Sequence, residues 1–233
     1  MGNVLFMRKG ETHSEPISFD PVFANNDWTT IIEACQKNKV PETWVVGDSK
    51  PMTINNVSYT IDIIGKNHDP YSDGSGTAPI TFQMHDCYYK TYMQAGGTNA
   101  GGWVSITMRS ARLPEILALM PSEVQTGIKE VNKLTSAGRE SSTINTTADK
   151  LFLLSEIEVF GRSSSSFAGE GSQYAYYAAG NSKVKYCDGT ATEWWLRSPF
   201  ATNDSYYCSV GNSGTSSQSK SSNSCGVAFA FCF

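Results

Sequence analysis

The chain has 233 residues, 39% of them hydrophobic and 12% aromatic, enough to fill one sizeable core or a core with a small appendage. The net charge of −4, with no basic run, speaks against nucleic acid or anionic lipid as a non-specific partner. No stretch approaches the roughly 18 apolar residues of a membrane-spanning helix, and Met1–Lys9 lacks the basic-then-apolar order of a signal peptide, so membrane insertion and export are not expected.

Residues 1–25 read as an N-terminal arm, with Gly10, Pro16 and Pro21 and no periodicity. Trp28, Ile31, Ile32 and Cys35 fall on one face of a helix that Asn26 or Asp27 can cap and Pro41 stops. Met52–Ile54 and Val57–Ile63 flank Asn55-Asn56, a pair tolerant of positive φ, and predict a hairpin. Gly65–Ala78 is a loop whose Asp-rich run, DPYSDGSG, does not match a calcium site. His68, Asp69 and Asp73 are therefore expected to hold a turn. A strand at Pro79–Met84 and a Gly-rich turn over Gly96–Gly102 come next. Leu113, Ile116, Leu117 and Met120 mark a second helix with Pro114 in its first turn. Pro121-Ser122-Glu123 restarts it, with Val124, Ile128 and Val131 extending the stripe. Ser141–Asp149 reads as a polar loop, Leu151–Glu156 as a buried strand and Gly161–Gly171 as a surface loop; Ala175–Ala178 is apolar and undefined in type. The sum is an α+β domain with two or three helices, short strands and long loops, and long loops in a compact domain carry function.

Six cysteines without a CxxC pair predict reduced thiols used as small core residues, with a Cys208–Cys225 disulfide left open. Three histidines in no recognisable context give no catalytic constellation, so no catalytic residue, metal site or cofactor is expected.

The C-terminal segment is the most distinctive. Trp194-Trp195-Leu196-Arg197-Ser198-Pro199 precedes a tract, Asn203–Ser224, holding nine Ser, three Asn, two Gly and the adjacent Tyr206 and Tyr207. The apolar run Cys225–Phe233 then reads as a core strand. Such a tract is disordered by composition, but apolar segments pin both of its ends. Tyr, Ser, Gly and Asn also dominate antibody binding loops, where Tyr supplies contact area and the small polar residues supply adaptable hydrogen bonds. Neighbours on extended chain point to opposite sides, so one of the two tyrosines can face the core. Trp194 and Trp195 are expected in the core, and Arg197 on a carboxylate such as Glu156 or Glu193, together forming the base under the tract.

Trp44–Asp48, Ile63–Asp69, Leu153–Glu156, and Trp194–Pro199 followed by Gly226-Val227 resemble a domain widespread in gut Firmicutes and their phages. The resemblance runs from Trp28 to Phe233. It implies a C-type-lectin-like fold, akin to the formylglycine-generating enzyme, over residues 26–233, with a variable region at 200–226. Where diversity-generating retroelements serve this fold, the C-terminal repeat is mutated, and those proteins resemble receptor-binding proteins of phage tails or cell surfaces. Such elements randomise adenines, typically in AAC or AAT codons. That reaches Asn, Ser, Thr, Tyr, Asp, Gly, Cys and several others, but not Gln, Lys, Glu, Met or Trp, and within the tract only Gln218 and Lys220 fall outside the reachable set.

The resemblance thus implies a ligand surface built from Asn203, Asp204, Ser205, Tyr206, Tyr207, Ser209, Gly211, Asn212, Ser213, Thr215, Ser216, Ser217, Ser219, Ser222, Asn223 and Ser224. Trp194, Trp195 and Arg197 form its scaffold. Asn203, Ser205, Tyr206, Ser209, Asn212, Thr215, Ser217 and Asn223 are expected to be exposed on one contiguous face in irregular chain. The implied partner is a protein or glycan on a host cell surface. The implied location is the virion, where the arm contacts other virion proteins, and self-association into a homo-oligomer is left open. The alternatives are an oxidase of the formylglycine-generating type, using Cys225 and Cys232, and a structural decoration protein of the virion.

Overall fold

The computed structural model describes residues 18–233. Most of the N-terminal arm, residues 1–17, lies outside the described residues. Its last part, expected as arm, belongs to the core. Phe23 is buried, meeting Trp44 edge-on at 5.5 Å and stacking on Phe82 at 6.1 Å. The buried Asn26 amide donates to the carbonyls of Asp20 and Val22, which folds this segment into a turn just ahead of the first helix.

Asp27 then caps α1 (Trp28–Gln36), its carboxylate accepting from Thr30 N at 2.7 Å. The helix buries Trp28, Ile31, Ile32 and Cys35, the stripe seen in the sequence. β1 (Ser49–Ile54) and β2 (Val57–Lys66) form the expected hairpin, with φ of 49° and 62° at Asn55 and Asn56. β3 (Ile80–Met84) is buried along its whole length, and β4 (Lys90–Thr91) is a short edge piece. A π-helical turn, Met108–Arg112, runs into α2 (Leu113–Leu117), and α3 (Ser122–Gly127) comes after Pro121. Val131 does not extend that helix; it opens a strand.

β5 (Val131–Gly138) and β6 (Ser141–Asp149) form a second hairpin, so the segment expected as a polar loop is a strand. Most β6 side chains are at least partly exposed, and no apolar alternation betrays it. Strand β7 stops after two residues (Leu151–Phe152); Ser155 is instead the N-cap of α4 (Glu156–Phe160). There it forms a capping box with Glu158. Ala175–Ala178 is a helical turn, α5. β8 (Lys185–Cys187) and β9 (Thr190–Thr192) make a third hairpin, ahead of β10 (Trp194–Pro199).

The tract itself is not irregular. It folds as β11 (Tyr206–Val210), a tight turn and β12 (Ser216–Lys220). The chain ends in β13 (Cys225–Gly226) and β14 (Ala230–Cys232). One antiparallel sheet has the order β1-β2-β3-β14-β7, so the last strand lies buried between β3 and β7. The second sheet has the order β12-β11-β10-β13-β4, with β10 and β13 parallel. The architecture is α+β, mostly sheet with short helices. Among the described residues no helix is long and apolar enough to cross a membrane.

All six cysteines are buried free thiols. Cys208 and Cys225 lie in strands on either side of β10. Two strand spacings place them about 9–10 Å apart, beyond the roughly 7 Å Cα separation that a disulfide spans.

Candidate functional site: a pinned hairpin beside a polar groove

The base of the site is the WWLRSP strand, β10. Trp194 and Trp195 are fully buried, and their indole N–H groups donate to the carbonyls of Lys183 (2.9 Å) and Thr91 (2.8 Å). Arg197 is also fully buried. It pairs with Glu158 through two nitrogens, at 2.5 and 2.8 Å, and donates to the carbonyls of Leu153, Leu134 and Glu170. The partner is thus neither Glu156 nor Glu193. The capping box sets Glu158 at the third helical position, where its carboxylate reaches both the Ser155 N–H and the guanidinium.

The same carboxylate meets Lys133, whose ammonium bridges Glu158 (2.7 Å) and Asp69 (2.6 Å). The Tyr174 hydroxyl donates to Asp69, and the His68 ring stacks on Tyr174 at 4.0 Å. His68, Asp69 and Glu158 lie close enough to share a cation. Lys133 supplies that positive charge itself, so the loop expected as a hydrogen-bonded turn is tied down by an ion network. Burial works against ionised Glu158, but Arg197 and Lys133 hold its carboxyl down to about 2. Glu170, buried beside them without a cation of its own, is pushed up to about 7, chiefly by burial.

Above this base the tract is clamped on both faces by carboxylates. In the β11–β12 ladder Tyr207 faces Ser219, and Ser209 faces Ser217, so these four side chains share one side. There the Ser209 and Ser217 hydroxyls donate to Glu193 Oε1 at 2.6 and 3.2 Å. The Tyr207 hydroxyl donates to the Gly102 carbonyl at 3.0 Å. On the opposite side Cys208 and Val210 are buried, and Ser216 donates to Glu156. Glu156 also accepts from Ser164, Ser165 and Ser166. Asn99 fixes the turn into β11 through the carbonyls of Asn203, Asp204 and Tyr206.

The expected ligand residues therefore divide. Asn203, Asp204, Asn212, Ser213, Thr215, Ser222, Asn223 and Ser224 are exposed. Ser205, Tyr206, Gly211, Ser216 and Ser217 are half-buried. Tyr207, Ser209 and Ser219 are buried and do not belong to the surface: β11 lies between β10 and β12 and is covered on both faces, and Ser219 pairs with Tyr207. The exposed ones lie at both ends of the hairpin: Asn203 and Asp204 at one and Asn212, Ser213 and Thr215 at the other, separated by a strand length of about 15 Å.

At the second end a groove of about 380 Å3 opens beside β12, lined by Lys90, Ala191, Thr192, Glu193, Gly211, Asn212, Ser217 and Ser224. Four of these come from the tract. Lys90 comes from β4 and is exposed, with no ion pair among the described residues. Neither Lys90 nor Thr192 carries any signal in the sequence, and the sequence points to Glu193 only as a partner for Arg197. The groove holds an anchored acceptor, a free cation and several hydroxyl and amide groups, a set suited to binding a polar ligand.

The cysteine pair of the oxidase alternative is not brought together in one strand or one sheet. Cys225 lies in the second sheet and Cys232 in the first. Burial pushes the Cys225 thiol up to about 12 and the Cys232 thiol well above its ordinary range.

No curated protein and no solved structure matches the chain. A family model does match residues 77–233, from just before β3 through the WWLRSP strand, the hairpin and the last strand. That span is more than half of the chain and includes every residue of the groove, and the chain accordingly belongs to the family described as Domain of unknown function (DUF6273).

Proposed function

We propose that this domain is a ligand-recognition module on a C-type-lectin-like scaffold, serving as a receptor-binding protein of a phage tail or virion surface. The observation that carries the reading is the clamped hairpin. Glu193, Glu156, Asn99 and the Tyr207 hydroxyl hold its backbone and inner side chains, while its turns stay exposed and polar and one of them frames a groove. A surface ordered before binding loses less entropy on association, which favours recognition by small polar residues. Supporting the scaffold reading is the return of β14 into the sheet of β2 and β3 after the second sheet has been built. The virion role rests on the resemblance carried by the WWLRSP block and the composition of the tract.

The test is saturable binding of the labelled full chain to a panel of Gram-positive gut bacteria. The expected result is binding to a subset of strains. It should be lost, at unchanged melting temperature, when Asn203, Asn212, Ser213, Thr215 and Asn223 are all cut to Ala. Absence of saturable binding to any strain would favour the decoration-protein alternative.

A further inference from the structure

We infer that the groove beside β12 takes an acidic glycan, with Lys90 meeting its anionic group and Glu193 accepting its ring hydroxyls; this deepens, and rests on, the recognition reading above. Protein partners are held by a few aromatic and Arg anchors seated in desolvated pockets. The tract offers none of that kind. Tyr207 is in the core, and Tyr206 is half-buried beside Phe200, with ring centroids 6.3 Å apart. The groove wall has no aromatic side chain, and its only aliphatic one is Ala191. A protein side chain entering it would find almost no apolar surface to bury.

A sugar finds what it needs. Each hydroxyl both donates and accepts, and the wall supplies both functions through Thr192, Asn212, Ser217, Ser224 and Glu193. A carboxylate accepts about four hydrogen bonds. Ser209 and Ser217 donate to Oε1 of Glu193, and the Cys225 thiol lies at its side, which leaves acceptor capacity for a ligand hydroxyl. Those two serines also fix the carboxylate in place before the ligand arrives.

Lys90 decides the charge of the ligand. It lies in the same groove as Glu193 but forms no ion pair with it within 4.0 Å, so its ammonium is free for a carboxylate, phosphate or sulfate on the sugar. The chain's net charge of −4 provides no general attraction for polyanions, so selectivity depends on this one placed cation.

The experiment applies the labelled full chain to an array of matched oligosaccharides. Its arms are galacturonate oligomers beside their methyl esters, and phosphorylated, sulfated and sialylated sugars beside their neutral parents. Acidic members should bind about tenfold or more tightly than their neutral counterparts, and the arms show which anionic group is read. Lys90→Met, an exposed change that leaves the core untouched, should abolish the preference; Glu193→Gln should weaken acidic and neutral members alike. Equal binding of matched pairs, or an acid preference that survives Lys90→Met, overturns the proposal. So does an array without bound members when the same chain binds cells, which points to a protein receptor and leaves the recognition reading standing. Failure to bind cells at all removes both.

Discussion

Glu170 and Glu158 share one buried charge network and titrate in opposite directions. Burial raises Glu170 from its ordinary 4.5 to about 7, so the folded chain holds this proton more tightly than the unfolded one. Its stabilising contribution is therefore complete below about 4.5 and is lost as pH rises through about 7, an interval worth about 3 kcal/mol. Glu170→Gln keeps the hydrogen-bonding shape without the charge. Urea melts at pH 5 and pH 8 should show the wild type losing stability over this interval and the variant losing about 3 kcal/mol less; equal losses would place the proton elsewhere. Glu158 runs the other way. Burial opposes its charge, but Arg197 and Lys133 hold it at about 2, so its contribution is present above 4.5 and lost as pH falls toward about 2. Arg197→Met should cost about 3–5 kcal/mol by leaving a buried carboxylate short of a partner. Part of that should return in Arg197→Met/Glu158→Gln, and a single-variant loss below about 1 kcal/mol would show that Lys133 alone compensates Glu158.

The β11–β12 hairpin is held from its inner sides, and its substitutions should sort accordingly. Tyr207→Ala empties a fully buried site and should cost about 3–5 kcal/mol, whereas Asn212→Ala at the exposed turn should stay within about 0.5 kcal/mol. Trp195→Ala in the strand beneath should match Tyr207→Ala. Chemical denaturation reads all three, and a Tyr207→Ala chain as stable as the wild type would mean that the tract is a loose loop. The sequence hides this hairpin for a physical reason. On β11 the buried Tyr207, Cys208 and Val210 occupy both faces, and the serines beside and opposite them are satisfied by Glu193 and Glu156, so period-two hydrophobicity never develops. β6 is hidden similarly, by exposure on most of its length. By contrast, α1 is legible because Trp28, Ile31, Ile32 and Cys35 all face the core, and β1–β2 because two positive-φ positions fall on adjacent asparagines. Ser155 reads as strand because Leu151–Leu154 are apolar without a break, although Ser155 and Glu158 already spell the capping box.

At the scale of the molecule, the groove joins three segments that are distant in the chain: Lys90 on β4, Ala191 and Thr192 of β9 with Glu193 just before β10, and Gly211, Asn212, Ser217 and Ser224 of the tract. Composition identifies the third segment. The first two become neighbours because β13 pairs with both β10 and β4 and because the Cys87 N–H donates to the Tyr186 carbonyl of β8, which no local pattern announces. The WWLRSP block is legible as the buried base, but its arginine reaches α4 and not the carboxylates nearest the tract. The recognition reading stands on the groove end of the hairpin being the binding site, and a comparison of the two ends tests it. Cell-binding titrations should be run on Lys90→Met/Asn212→Ala/Ser217→Ala at the groove and on Asn203→Ala/Asp204→Ala at the opposite end, with melting temperatures measured alongside. The groove variant should bind at least about tenfold more weakly, and the opposite-end variant should bind like the wild type, with both folded. Undiminished binding by the folded groove variant would contradict the account.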